Sequence, residues 1–156
     1  MTGPYAKLRA DLRRYVEASP HHNALLVCLF DRGFHFVAAF RFQEMLVGVP
    51  LVGKVLRRVL WYATSIWYGA EIAMGTEIDG GLYVPHPTGI VIGKARIGAN
   101  VTILQGATIG QKSFDDPRNP VIGDGAVIEQ GAVVVGGLTL SPGVTVSPKR
   151  VVTHDL

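Results

Sequence analysis

The sequence predicts a mainly β chain, a triangular solenoid of short parallel strands preceded by a small α-helical domain. Two observations carry this prediction: apolar residues recur every three or four positions before residue 62, and aliphatic residues recur every six positions from Ile72 onward. A third is the glycine content, 19 of 156 residues, most of it in the second half. Glycine that is so frequent and so evenly spaced indicates many tight corners.

Residues 1–62 are predicted to form the helical N-terminal domain. The first helix carries an apolar stripe at helical spacing, formed by Tyr5, Leu8, Leu12 and Tyr15. Ser19-Pro20 predicts a break, and Asp31-Arg32-Gly33 predicts a turn between a second and a third helix. Pro50 is predicted to end the third helix, and a fourth helix is expected to extend from Leu51 to Tyr62.

Residues 63–156 are predicted to form the solenoid. Its inward-pointing positions are expected at Ile72, Ile78, Val84, Val91, Ile97, Ile103, Ile109, Ile122, Ile128, Val134, Leu140, Val146 and Val152. Its corners are expected at Gly75, Gly81, Asn100, Gly106, Gly125, Gly131, Gly137 and Gly143, because glycine and asparagine tolerate a positive φ. Each strand should stack on the strand three repeats further along the chain, so that the aliphatic side chains fill the interior.

The six-residue period is interrupted between Ile109 and Ile122, which lie more than two repeats apart with no inward position between them. The intervening segment 111–120 is polar and rich in proline, so it is predicted to loop out from the wall of the solenoid. Insertions into a regular repeat commonly carry function, since the wall holds them rigidly.

Composition narrows the classes of function. Residues 1–62 carry nine Lys or Arg against four Asp or Glu, whereas residues 63–156 carry six against eight. The basic helical part leaves two interpretations open, a peripheral contact with a phosphate-bearing partner or an anionic membrane, and a solvated helix face. The region from Met45 to Ala63 is too short and too interrupted by Lys54, Arg57 and Arg58 to predict a transmembrane segment.

The single cysteine, Cys28, excludes an intrachain disulfide and fits a reducing cytoplasm. No signal peptide is expected from the first residues. Only two histidines, His86 and His154, fall in the solenoid, so no metal site is predicted there. The glycines follow the six-residue repeat rather than a nucleotide-binding motif, and no nucleic-acid partner is predicted.

Three segments resemble the serine O-acetyltransferase-like family of hexapeptide-repeat acyltransferases. They are His86-Pro87-Thr88-Gly89-Ile90-Val91-Ile92-Gly93, Gln105-Gly106-Ala107-Thr108-Ile109-Gly110 and, in the helical part, Gly33-Phe34-His35 with Ala39-Phe40-Arg41. The resemblance implies a left-handed parallel β-helix and a homotrimer. It also implies an acetyl-CoA-dependent O-acetyltransferase of cysteine biosynthesis. Direct transfer in a ternary complex is expected, because Cys28 lies in the helical domain, far along the chain from His86, and the sequence has no nucleophile elbow.

The resemblance also implies roles for individual residues. It makes His86 the general base and Glu71, fifteen residues earlier, its acidic partner. Arg118 and Asn119 match positions that bind the acceptor. CoA is expected in a groove between two subunits, near the loop and the C-terminal coils, where the candidate contacts are Gly110, Gln111, Gln130 and Pro148.

Three positions depart from the family's pattern. Asn119 stands where the family has a loop histidine, Pro85 where it has an acid before the catalytic histidine, and Ser19 roughly where it has an acid that recognises the acceptor's amine. Losing the acids removes partners for an ammonium group, whereas Arg118 can still hold a carboxylate. The helical domain and the retained Arg118 favour serine or a related small amino acid as the acceptor, whereas Pro85 and Asn119 favour the alternative, a sugar hydroxyl. A catalytically silent subunit that scaffolds a partner is a further hypothesis.

Overall fold

The computed structural model describes residues 3–113 and 115–156, and helices form its first part. They are α1 (Pro4–Ala18), α2 (Ala24–Phe30), α3 (Arg32–Met45), a 3-10 turn (Leu46–Gly48) and α4 (Val52–Tyr68). Pro4 lies in the first turn of α1, where its missing N–H is not needed. Asn23 and Asp31 begin α2 and α3 by accepting hydrogen bonds from backbone N–H groups of the first turn.

The second part consists of short parallel strands. They are β1 (Glu71–Ile72), β2 (Glu77–Ile78), β3 (Val91–Ile92), β4 (Arg96–Ile97), β5 (Thr102–Ile103), β6 (Thr108–Gly110), β7 (Val121–Ile122), β8 (Val127–Ile128), β9 (Val133–Val135), β10 (Thr139–Leu140), β11 (Thr145–Val146) and β12 (Val151–Val152). The predicted left-handed parallel β-helix behind a helical region is confirmed.

The strands form three walls. Wall 1 has the order β1-β3-β6-β9-β12, wall 2 the order β2-β4-β7-β10, and wall 3 the order β5-β8-β11. Tyr83 extends wall 3 through a single bridge to Thr102. The predicted stacking at a distance of three full repeats holds for the last coils, where Val133 pairs with Val151. It is wrong for the first coils, because Glu71 pairs with Val91 and Val91 with Thr108.

Twelve of the thirteen predicted inward positions are buried. Val91 is the exception: its residue is 41% exposed, and Ile92 fills the interior instead. The cause is a wider corner after Val84. Because of it, the next inward position comes two residues later than a strict six-residue step would place it. The step from Ile92 to Ile97 is then one residue short, which restores the predicted register.

The corners follow the predicted glycines with one correction. Asn100 and six of the seven predicted glycines adopt a positive φ. Gly137 does not, and its neighbour Gly136 has a φ of 109° in its place. The aliphatic part of Arg118 lies directly against Gly137, where it occupies the space that a Cβ would need.

Two helix boundaries differ from the predictions. The sequence predicts Arg32 and Gly33 in a turn, but they form the first turn of α3, because the Asp31 side chain caps that helix at a distance of 2.9 Å from the Phe34 nitrogen. It also predicts that the fourth helix ends at Tyr62, but α4 continues to Tyr68 and ends at Gly69, whose left-handed φ of 59° terminates it. None of the helices within residues 3–113 and 115–156 combines the length and the apolar character that a membrane crossing requires.

Candidate active site

The corner that carries His86 is wider than the other corners of its coil. It comprises residues 84–89, between the Tyr83 bridge of wall 3 and β3 of wall 1, and we call it the His86 corner. Its shape is fixed from within, because the Thr88 N–H donates to the His86 carbonyl at 2.8 Å and Pro87 is buried. The Gly89 N–H donates to the Gly69 carbonyl at 2.8 Å. The His86 side chain itself is exposed at this corner.

Helix α1 holds the start of the His86 corner through Tyr15. The Tyr15 hydroxyl donates to the Val84 carbonyl at 3.0 Å and accepts from the Val84 N–H at 2.8 Å. These groups belong to the first coil of the solenoid, residues 71–89, which we call the outermost coil and which has no preceding coil to pair with. Burial raises the pKa of the Tyr15 phenol above its usual value, so the hydroxyl keeps the proton that it donates.

Helix α3 supports the same corner through Gly33. A Cβ at Gly33 would collide with the Val84 carbonyl oxygen and lie 3.1 Å from the Pro85 carbonyl oxygen. Only glycine therefore lets the first turn of α3 lie against the two residues that precede His86. The Gly33-Phe34-His35 segment that contributed to the resemblance thus has a steric role beside the candidate base.

A buried ion pair closes the rest of the outermost coil. Asp11 accepts hydrogen bonds from the N–H groups of Gly81 and Leu82 at 2.7 and 2.8 Å, and it pairs with Arg41 at 2.7 Å. Arg41 donates to the carbonyls of Ile78 and Asp79. Both charged side chains are fully buried. The helices therefore supply the hydrogen-bond partners that a preceding coil would supply.

Sequence reasoning missed this cap, although one signal was present. Asp11 and Tyr15 are four residues apart, so they lie on one face of α1, and Asp11 stands three residues after Leu8 in the apolar stripe. An acid within an apolar stripe requires a buried partner. The predicted face of α1 is otherwise correct except at Tyr5, which is 68% exposed.

Glu71 lies at the start of wall 1, on the coil that ends in the His86 corner. Its backbone pairs in register with Val91, and its side chain is half-buried while Ile72 points inward. The Gly69–Gly89 hydrogen bond joins the residues before Glu71 to the His86 corner. Glu71 and His86 thus belong to the same edge of wall 1, but none of the ion pairs within residues 3–113 and 115–156 joins them.

Two of the residues predicted to contact CoA follow the same edge. Backbone hydrogen bonds connect successive corners along this edge. The N–H groups of Gly106, Gly131 and Lys149 donate to the carbonyls of Thr88, Gln105 and Gln130, respectively. Gln130 and Pro148 are exposed in this column. The structure therefore aligns His86, Gln130 and Pro148 along one edge of the solenoid.

The remaining predicted site residues lie at the opposite edge of wall 1. Gly110, the last residue of β6, is buried beside Gly93 at the end of the wall, and the loop of residues 111–120 leaves from it. Gln111 and Asn119 are exposed, and the Gln111 amide donates to the Pro117 carbonyl at 3.0 Å. One chain thus separates the His86 corner from the loop by the width of wall 1.

Arg118 is engaged within the loop. Its guanidinium forms two hydrogen bonds of 2.8 Å to the two carboxylate oxygens of Asp116. The hydrogen bonds from Arg118 lower the pKa of Asp116 to about 2, so the carboxylate is ionised at neutral pH. A carboxylate on an acceptor would have to compete with Asp116 for this guanidinium.

No family model matches the chain. A serine acetyltransferase of Buchnera aphidicola is 31% identical over 122 residues, which are 76% of this chain and 44% of that protein. The curated relatives are named serine acetyltransferases, two of them as probable ones, and the chain spans about half of their length or less.

Solved structures agree with these relatives. The crystal structure of serine acetyltransferase from Neisseria gonorrhoeae matches with a TM-score of 0.84 and 30% identity, covering 98% of this chain and 60% of that chain. A serine acetyltransferase in complex with CoA matches with a TM-score of 0.84 at 23% identity, covering 99% of this chain and 64% of that one. The resemblance drawn from the motifs is therefore confirmed.

Proposed function

We propose that this protein is an acetyl-CoA-dependent O-acetyltransferase of the serine acetyltransferase type. The observation that carries the proposal is the His86 corner, an exposed histidine on a rigid corner in a chain similar to serine acetyltransferases. The similar fold solved in complex with CoA supports acetyl-CoA as the acetyl donor. The acceptor that we propose first is L-serine or a related small amino acid.

In the proposed reaction His86 acts as general base. Its imidazole takes the proton of the acceptor hydroxyl as the oxygen attacks the thioester carbonyl carbon of acetyl-CoA. The C–S bond then breaks, and the imidazolium returns the proton to the CoA sulfur. Glu71 is proposed to accept a hydrogen bond from the second ring nitrogen, which would fix the tautomer and stabilise the imidazolium.

A second copy of the chain is proposed to complete the site. The proposed site residues are divided between the two edges of wall 1. One edge carries His86, Gln130 and Pro148. The opposite edge carries Gly110, Gln111, Arg118 and Asn119. Packing copies around a threefold axis brings the two edges of different subunits together. The outward positions Val91, Thr108, Val133 and Val151, which pair in register along wall 1, are uncharged and therefore suit such packing. We propose a cytoplasmic homotrimer with CoA in the groove between subunits.

A sugar hydroxyl is the second candidate acceptor, and the state of the loop favours it. Arg118, the residue proposed to hold a carboxylate, is already paired with Asp116. Pro85 and Asn119 lack the charge that an ammonium or carboxylate would require. A neutral polyol needs no such partner, because its hydroxyl groups bind through uncharged hydrogen bonds.

Acceptor profiling tests the proposal. Release of free thiol from acetyl-CoA is measured with L-serine, small hydroxy amino acids, monosaccharides and oligosaccharides. Turnover with L-serine supports the first acceptor, and turnover with sugars alone supports the second. If no hydroxyl compound supports turnover by the folded protein, the acetyltransferase proposal is wrong and the silent-subunit hypothesis replaces it.

A further inference from the structure

Helix α4 turns an apolar face toward solvent. Six large apolar residues spaced by three, four or one position are each between 45% and 67% exposed, and we call them the α4 outer face: Val52, Val55, Leu56, Val59, Tyr62 and Ile66. Trp67 continues this face and is 78% exposed. An exposed apolar stripe of this size marks a contact surface in a folded protein.

The opposite face of α4 is fixed to the rest of the protein. Gly53 is buried against the Leu46 carbonyl, and the Trp61 indole N–H donates to the Ile72 carbonyl at 3.0 Å. The inner face also carries Thr64, a polar residue whose hydroxyl donates to backbone carbonyls of its own helix. The helix is therefore held with its apolar side outward, and rotation would break the contact with β1.

The charge around the α4 outer face has one sign. Lys54 and Arg58 are exposed and four residues apart, so they lie together along one flank of the outer face. The Arg58 guanidinium lies 5.5 Å from the centre of the Trp61 ring. No Asp or Glu occurs between Met45 and Ala70. A partner that is both apolar and anionic therefore matches this surface.

We propose that the α4 outer face binds an anionic phospholipid surface, with α4 lying in the plane of the membrane. A helix of 17 residues gives a stripe about 25 Å long. Its large apolar side chains enter the boundary between headgroups and acyl chains, while Lys54 and Arg58 contact phosphate groups. The exposed Trp67 and Tyr62 have the amphipathic rings that favour this depth.

Charge favours lipid over a second copy at this surface. Two α4 helices packed in parallel would bring Lys54 and Arg58 of one copy close to those of the other, with no acid on either helix to compensate. An anionic bilayer instead supplies both the apolar interior and the negative charge. The contact is peripheral, because α4 carries three cations and its inner face stays on the protein.

Vesicle binding by the full chain tests the proposal. The protein is expected to co-sediment with vesicles of phosphatidylcholine mixed with phosphatidylglycerol, to bind pure phosphatidylcholine vesicles far less, and to dissociate at high salt. Trp67 fluorescence should shift to shorter wavelength on binding, and Trp67→Phe should remove most of that shift. Equal binding to both vesicle types, or no binding to either, would overturn the proposal.

Paired variants separate a local effect from net charge. Lys54→Gln with Arg58→Gln should weaken binding about 25-fold, since each surface cation near the bilayer contributes about fivefold. The control, Arg9→Gln with Arg13→Gln, removes the same charge from exposed positions on α1 and should have little effect. If both pairs weaken binding equally, general charge attraction explains it and the α4 outer face is not the site.

A last variant tests whether a second copy covers the face. Val59→Asp, with its fold checked by circular dichroism, should abolish vesicle binding while leaving the sedimentation coefficient of the free protein unchanged. A lower sedimentation coefficient would mean that copies of this chain pack through α4, and the lipid proposal would then be rejected.

Discussion

The terminal coils, residues 121–152, and the outermost coil with its His86 corner are built from similar residues but are held in different ways. Strands of the terminal coils stack on every third hexapeptide and find their hydrogen-bond partners in the neighbouring coil. The outermost coil departs from that spacing, and helices supply its partners through Asp11, Tyr15 and Arg41. Regular repeat sequence therefore stabilises itself, whereas the irregular corner proposed to carry the chemistry depends on distant parts of the chain.

The largest effect is expected at the buried ion pair that caps the outermost coil. Asp11→Ala leaves the buried Arg41 with Glu44 as its remaining acidic partner, and it leaves the N–H groups of Gly81 and Leu82 without their acceptor. We expect a loss of about 3–5 kcal/mol in the free energy of unfolding, measured by urea denaturation.

The matched control is Asp124→Ala. Asp124 also accepts a backbone hydrogen bond, from Ala99 at 2.8 Å, but it is exposed in the solenoid. Its loss should cost only about 0.5–1.5 kcal/mol. Equal costs at the two positions would show that the outermost coil has no special dependence on the helices.

Gly33→Ala adds one methyl group under the His86 corner. Alanine usually stabilises a helix relative to glycine, but here the Cβ would meet the carbonyls of Val84 and Pro85. We expect a destabilisation of about 1–3 kcal/mol, measured by urea denaturation, together with slower acetyl transfer.

Gly48→Ala serves as the control for that substitution. No atom lies within 4 Å of the position its Cβ would take. Its free energy of unfolding should change by less than about 0.5 kcal/mol. A neutral or stabilising Gly33→Ala would mean that α3 does not fix the corner.

Tyr15→Phe removes both hydrogen bonds to Val84 and keeps the ring. The expected cost is about 1–3 kcal/mol, because the Val84 N–H and carbonyl stay buried. The stabilisation that the Tyr15 phenol provides depends on pH, because its pKa differs between the folded and the unfolded state. Burial raises the Tyr15 pKa in the folded state, so its stabilisation is complete below the unfolded value of about 10 and is lost as pH rises above it.

The measurement is urea denaturation of both proteins across alkaline pH. The difference in free energy between wild type and Tyr15→Phe should narrow above about pH 10. A difference that stays constant there would contradict a protonated, hydrogen-bonded Tyr15.

The smallest effect on stability is expected in the loop. Asp116→Asn removes the partner of Arg118, but the pair is exposed and local. No measurable change in the urea midpoint is expected at neutral pH. Its effect should appear in binding instead: a freed Arg118 should lower the KM for an acceptor that carries a carboxylate and leave the KM for acetyl-CoA unchanged. A changed midpoint with unchanged kinetics would make the pair structural only.

The six-residue period is sufficient to predict the solenoid, its interior and most corners, because each aliphatic residue and each glycine acts within one repeat. It fails where the repeat fails. The wider His86 corner moves the interior position from Val91 to Ile92. The positive φ falls on Gly136 and not on Gly137, against which Arg118 packs.

Long-range contacts are beyond the reach of the pattern. Asp11 and Gly81 are 70 residues apart, so nothing local shows that one caps the other. The sequence likewise shows that α4 is apolar but not which side of it faces solvent. For the site, the motifs indicate His86 and the loop, whereas the three-dimensional fold is needed to place them at opposite edges of wall 1.

In the proposed reaction the irregular corner, and not the regular wall, supplies the base for acetyl transfer. The test compares kcat/KM for acetyl-CoA among wild type, His86→Ala and His154→Ala. The reaction is monitored by the release of free thiol in the presence of the preferred acceptor. His154 is the matched control, being an exposed histidine of the terminal coil region. We expect His86→Ala to lose about 10²–10⁴-fold and His154→Ala to keep wild-type activity. A folded His86→Ala protein that retains wild-type activity would rule out His86 as the general base.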